Sequence, residues 1–140
     1  MRCMIYTPPG YDTSEESYPV LYLQHGGGEN ETAWFWHGHL NWILDNLIAQ
    51  KLVSPMLVVC STGYAIDGNG QNGSAVNQAF RLLFFSFGLD EEGKKAEWQK
   101  TQERMERCGV RVLKHSCYPG KHEWSVWRNS IFEFLQQCFL

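Results

Sequence analysis

The chain has 140 residues, the length of one ordinary domain, and can bury roughly two-thirds of the surface its unfolded form exposes. Twelve Lys and Arg against fifteen Asp and Glu leave a net charge of −3, which argues against a nucleic-acid or anionic-membrane partner, since either needs a positive field. A hydrophobic share of 44% with 19% charged residues argues against disorder, and the longest apolar stretch, Phe80 to Leu89, carries Arg81 and is too short to span a bilayer.

In chain order, Cys3 to Tyr6 reads as a strand that stops at Thr7-Pro8-Pro9-Gly10-Tyr11, where paired prolines and a glycine force a turn. Asp12 to Ser17 is polar loop. Pro19 to Gln24 is a β-rich apolar run, predicted to be a buried strand, and it ends at His25 and three glycines. Leu40, Ile43, Leu44, Leu47 and Ile48 form the stripe of an amphipathic helix. Met56 to Cys60 is a second buried strand. Ser61 to Asn77 holds four glycines and three asparagines and reads as loop. Arg81 to Ser86 is a third strand, Glu91 to Cys108 a charged helix with a thin stripe at Trp98, Met105 and Cys108, and Val110 to Tyr118 a fourth core strand. Ser125 to Phe139 closes the chain as a helix with Trp127, Ile131, Phe134, Leu135 and Cys138 on one face. Strands alternating with helices predict a single α/β domain over residues 1–140 with a mostly parallel sheet of about five strands.

No charged leader with an apolar core precedes the first strand, so no signal peptide is expected and a cytoplasmic location is favoured. Five cysteines (Cys3, Cys60, Cys108, Cys117, Cys138) are odd in number and lack a CxxC, which predicts buried free thiols. His37-Gly38-His39 offers two imidazoles without a third ligand and predicts a solvated loop, so no metal and no cofactor are expected.

In α/β folds, ligands gather at loops following the carboxyl ends of strands. Three such loops carry chemistry. His25-Gly26-Gly27-Gly28 can turn sharply and aim backbone N–H groups at a developing oxyanion, or form a plain turn or an anion nest. His122, between the last strand and the last helix, suits a general base, because an imidazole titrates near neutrality. Gly88-Leu89-Asp90-Glu91-Glu92 could lend a carboxylate to orient that imidazole.

The runs YTPPGY (Tyr6 to Tyr11), YPVLYLQHGGGENE (Tyr18 to Glu31) and YPGKHEWSVWR (Tyr118 to Arg128) resemble the esterase D and feruloyl-esterase branch of the α/β-hydrolases. LDNLIA (Leu44 to Ala49) and LLFFSFG (Leu82 to Gly88) match it in character and order. The resemblance implies a shortened α/β-hydrolase-like sandwich, Ser–acid–His acyl transfer without a metal, and hydroxycinnamic or acetic esters on plant polysaccharides as substrates. It implies that His122 is the triad histidine. The acid falls on the loop after the penultimate strand, where spacing from Gly88 favours Glu91, with Asp90 next. Gly26 and Gly27, behind His25 and followed by Gly28, match the oxyanion-hole loop, and Trp124 and Trp127 match aromatic residues beside the histidine.

The family's serine sits in a G-x-S-x-G elbow, and no G-x-S-x-G occurs in this chain. The elbow strand and its neighbour would fall between Met56–Tyr64 and Arg81–Gly88, where residues 69–78 act as a linker across an apparent internal deletion. The resemblance places those two strands in mid-sheet, so their loss either closes a smaller sheet or leaves open edges for a second copy; a homodimer through sheet edges is expected. Substitutes for the nucleophile are Ser61, Ser74, Ser86, Cys60 and Cys117. The competing expectation is a non-catalytic relic that binds phenolic or sugar ligands or serves assembly.

Overall fold

A computed structural model describes residues 2–62, 84–107 and 114–139. They fall into two compact units, Met1–Gln78 with Phe139–Leu140, and Ala79–Cys138. The linker expected at 69–78 lies outside the described residues.

The first unit holds β1 (Cys3–Tyr6), β2 (Val20–Leu23), the short α1 (Ala33–Trp36), α2 (Leu40–Ala49) and β3 (Leu57–Ser61). The prolines do what their fixed φ demands: β1 ends at Tyr6, and a 3-10 turn at Tyr11–Thr13 follows Gly10, whose φ of +85° is a left-handed value that glycine adopts freely. The strands order as β1-β3-β2, with β2 parallel and β1 antiparallel to the central β3. Register puts Tyr6, Val58 and Leu21 in one row and Ile5, Val59 and Tyr22 in the next. Because side chains alternate along a strand, these rows face opposite ways. The first face is the core side: Tyr6, Val58 and Cys60 are buried with Met56 and the helical stripe Leu40, Leu44 and Leu47. Tyr6 also donates its hydroxyl to Asp45 of α2 at 2.7 Å, fixing helix to strand.

The second face is apolar but open, with Ile5 54% and Tyr22 78% exposed. Sequence reading places Pro19 to Gln24 as a buried strand; the structure corrects this to β2, which among the described residues is an edge strand and whose alternate residues Val20 and Tyr22 are exposed. Apolar side chains on an uncovered face produce the same unbroken apolar run as burial on both faces. The antiparallel β1 is the other departure from a mainly parallel sheet.

The second unit holds β4 (Phe84–Gly88), α3 (Lys94–Arg107), β5 (Lys114–Tyr118) and α4 (Trp124–Leu135). β4 and β5 form a parallel pair running from Phe84 opposite Lys114 to Gly88 opposite Tyr118. One face of the pair meets α4: Phe84 packs on Phe134 at 5.8 Å between ring centroids, and the Ser86 and Ser130 hydroxyls bond to each other. Ser116 and Tyr118, two apart on β5 and so on the same side, both donate hydroxyls to the Glu133 carboxylate of α4. The other face meets α3 through Trp98, which lies between Phe85 (4.7 Å) and His115 (5.2 Å). Of the stripe expected on the last helix, Ile131 and Leu135 are buried, joined by Val126. That helix ends at Leu135, so Cys138 falls past it. The charged helix starts at Lys94 rather than Glu91, because Gly93 (φ +75°) opens it and the Glu91 side chain is engaged elsewhere.

Candidate active site

β4 and β5 run side by side in the same direction, so the loops that leave their carboxyl ends emerge together. Backbone bonds stitch these loops: Leu89 N–H donates to Tyr118 O (2.8 Å) and Asp90 N–H to Gly120 O (3.0 Å). At Gly88 the approach is so close that a Cβ would lie 2.6 Å from the Lys121 carbonyl oxygen and collide with that of Gly120. Only glycine fits there.

This juxtaposition brings His122 to Glu91. The imidazole Nδ1 is 3.3 Å from Glu91 Oε2, while Glu91 Oε1 accepts the Gly88 N–H at 2.8 Å. One carboxylate therefore bridges the end of β4 and the ring of the next loop. The Glu91 side chain is only 10% exposed and that of His122 is 75% exposed. A sheltered acceptor on Nδ1 selects the tautomer that carries its proton there and leaves Nε2 as the proton acceptor. Trp127 meets the His122 ring edge-on at 4.8 Å and meets Trp124 in the same way at 4.8 Å. Asp90, the second carboxylate considered, is instead a brace: its Oδ2 accepts the Gly120 N–H at 3.2 Å.

His122, Glu91 and Trp127 border a cleft of about 280 Å³ in the second unit. Its floor is Phe85, Ser86 and Phe87 of β4, and α3 supplies the facing wall with Lys94, Glu97, Trp98 and Thr101. Lys94 Nζ donates to Glu97 Oε2 at 2.8 Å; that bond and the neighbouring charge hold the lysine pKa above and the glutamate pKa below their ordinary values. Sequence reading assigns Trp98 to a core stripe and leaves Lys94, Glu97 and Thr101 aside. Their spacing of three, four and seven residues along one helix, all on the side of Trp98, is the signal that marks them.

The glycine loop belongs to the first unit. Gly26 to Glu29 is a turn closed by Glu29 N–H on Gly26 O (3.3 Å), with Gly28 at φ +81° in the position that requires a left-handed residue. Each ring nitrogen of His25 lies 2.7 Å from a carbonyl oxygen, Nδ1 from Gly26 and Nε2 from Thr62. The Gly26 N–H donates to Glu29 Oε2 at 3.1 Å, so one of the two amides considered as oxyanion donors holds an internal carboxylate.

Two of the substitute nucleophiles are not poised for attack. Cys60 is buried, and desolvation pushes its thiol pKa up to about 11, which keeps it protonated and unreactive. The Ser86 hydroxyl is committed to Ser130. Ser61 ends β3 and Cys117 lies half-buried on β5, while Ser74 falls outside the described residues.

The fold is shared with a solved ferulic acid esterase, which superposes on 96% of this chain and 90% of its own with a TM-score of 0.75, at 14% identity. The family follows from sequence. A profile for the family described as "Putative esterase" matches residues 1–82, and the chain belongs to it. The relatives include an endo-1,4-beta-xylanase/feruloyl esterase of Xylanibacter ruminicola, 48% identical over 67 residues that make up 45% of this chain and 9% of that protein. Endo-1,4-beta-xylanase Y of Acetivibrio thermocellus is 41% identical over 86 residues, 59% of this chain and 7% of that protein. The aligned stretch thus spans less than a tenth of either relative's length.

Proposed function

We propose that this chain is a carboxylic ester hydrolase of the carbohydrate-esterase kind, acting on hydroxycinnamoyl or acetyl esters of plant polysaccharides through His122 and Glu91. The observation that carries the reading is the Glu91 bridge, one oxygen on the Gly88 amide and the other at His122 Nδ1, beside an aromatic-walled cleft. The names borne by the relatives support the choice of substrate class.

With no G-x-S-x-G elbow in the sequence, water is the attacking group in this reading. His122 Nε2 takes a proton from water as its oxygen bonds to the acyl carbon. The tetrahedral intermediate then collapses, the bond to the alcohol oxygen breaks, and Nε2 hands the proton to the departing alkoxide. Glu91 keeps the ring in the required tautomer and stabilises the imidazolium between the two transfers. Without an acyl-enzyme step the rate falls below that of a complete triad, which is the impaired mechanism expected when one member is missing.

The test is hydrolysis of methyl ferulate by the chain and by its His122→Ala and Glu91→Gln variants. Proton-transfer catalysis contributes about 10²–10⁴-fold, so turnover falls by at least about 10² in His122→Ala and less steeply in Glu91→Gln. Turnover that is absent, or equal in all three proteins, overturns the esterase reading in favour of a hydrolase scaffold kept for binding phenolic or sugar ligands.

A further inference from the structure

His122 is the less restrained member of the pair it forms with Glu91. Its side chain is 75% exposed, and its contact with Glu91 Oε2, at 3.3 Å, is long for a hydrogen bond. An exposed histidine can occupy several staggered rotamers, and one such bond, for which water competes, is a weak selector among them. The other contact of the ring is with Trp127, whose ring centroid lies 4.8 Å away with the two planes at 79°. Turning the side chain to the next staggered well moves the imidazole by several ångströms and breaks both contacts together. Resting on the esterase reading for its effect on rate, we infer that Trp127 is a positioning residue, which holds the His122 imidazole in the rotamer that meets Glu91.

The indole can restrain its neighbour because it is itself held. Trp127 lies in the first turn of α4, where its N–H donates to Glu123 O at 3.2 Å, and the adjacent Val126 is fully buried. Trp124, three residues earlier and so on the same side of the helix, meets Trp127 at 4.8 Å and 77°. The helix and its packing have already ordered this pair of indoles, so only the imidazole loses freedom when it docks there. A perpendicular aromatic contact of this kind biases an equilibrium by about two- to tenfold. Shared with the bias that Glu91 supplies, that puts the loss of kcat without the indole at about two- to fivefold. Trp127 also borders the cleft, so direct contact with substrate is the rival role, and that role would show in KM.

The experiment measures kcat and KM for methyl ferulate, together with the tautomer of the neutral His122 ring, read from its imidazole nitrogen shifts at about pH 9, where an ordinary imidazole is uncharged. The proteins are the full chain and its Trp127→Leu, Trp127→Phe and Trp42→Leu variants, Trp42 being an exposed indole of the first unit. In the wild type and in Trp127→Phe, which keeps a flat ring at the contact, the imidazole carries its proton on Nδ1. In Trp127→Leu kcat falls about two- to fivefold at unchanged KM, and the Nε2–H tautomer grows at the expense of Nδ1–H. Trp42→Leu matches the wild type in both readouts. A Trp127→Leu ring with the wild-type tautomer, or a loss carried by KM, overturns the assignment. Should no protein turn over methyl ferulate, the esterase reading fails by itself, and the tautomer in Trp127→Leu still decides the positioning role. Should Trp127→Leu not fold, Trp127→Met is read in its place, and a wild-type ring that is already a mixture of tautomers refutes the inference without any variant.

Discussion

Gly88→Ala tests whether the Glu91–His122 pair depends on backbone contact between two loops. A Cβ at residue 88 would sit 2.6 Å from the Lys121 carbonyl oxygen, whereas ordinary contact starts at 3.4 Å. The loops must part by at least about 0.8 Å, and all three obstructing atoms are backbone, so no side chain can swing aside. Such a displacement carries the 3.3 Å Nδ1–Oε2 contact beyond 4 Å and strains the 2.8 Å bond from Gly88 N–H to Glu91. Overpacking of this kind costs about 1–3 kcal/mol, and losing the amide bond adds about 1 kcal/mol. Urea denaturation of the wild type and the variant measures the loss, and methyl ferulate turnover reports on the pair. We expect a stability loss of about 2–4 kcal/mol and a methyl ferulate turnover reduced to that of Glu91→Gln. Gly27→Ala is the control, with nothing within 4 Å of its Cβ. A Gly88→Ala protein as stable as the Gly27→Ala protein, with undiminished turnover, refutes the argument.

Leu44 of α2 is fully buried, so Leu44→Ala costs about 2–5 kcal/mol in the same denaturation assay, whereas the exposed Trp42→Ala costs under about 1 kcal/mol. Burial raises the Cys60 thiol pKa to about 11, so stability is intact below about pH 9 and declines as pH rises towards 11; Cys60→Val flattens that decline by at most about 2.7 kcal/mol, read from urea midpoints at pH 8 and pH 10.5. Among the described residues β2 is paired on one side only and presents Val20 and Tyr22, and a second copy joining along that edge is the expected assembly. Sedimentation velocity should then find a dimer that Tyr22→Lys dissociates, and a monomer at tens of micromolar removes the idea.

Where the apolar spacing is regular, the elements are legible in the sequence. The stripe from Leu40 to Ile48 defines α2, and the β-rich runs ending at Tyr6 and Cys60 define β1 and β3, because periodicity reflects which face is buried. Ala33–Trp36 was missed, since four residues are too few to show a helical period. The exposure of Tyr22 was misread because an uncovered sheet face and a covered one can have the same composition. In the site, His122 and Glu91 were legible as residues that follow strand ends. That Glu91 meets the ring while Asp90 braces Gly120 depends on backbone geometry that no spacing rule contains. The clasp of Ser116 and Tyr118 on Glu133 was missed as well, although an acidic residue inside an apolar helical run, facing two hydroxyls spaced by two, is a readable sign of it.

Glu91 and His122 come from one continuous stretch of chain. Everything that places them, from β4 through the Glu91 loop to β5, His122 and α4, lies between Phe84 and Leu135. In hereditary terms the two groups are linked: an excision, insertion or fusion upstream of Phe84 carries neither away and leaves their backbone stitching in place. On the proposed reading, a chain without the serine elbow still holds Glu91 against His122.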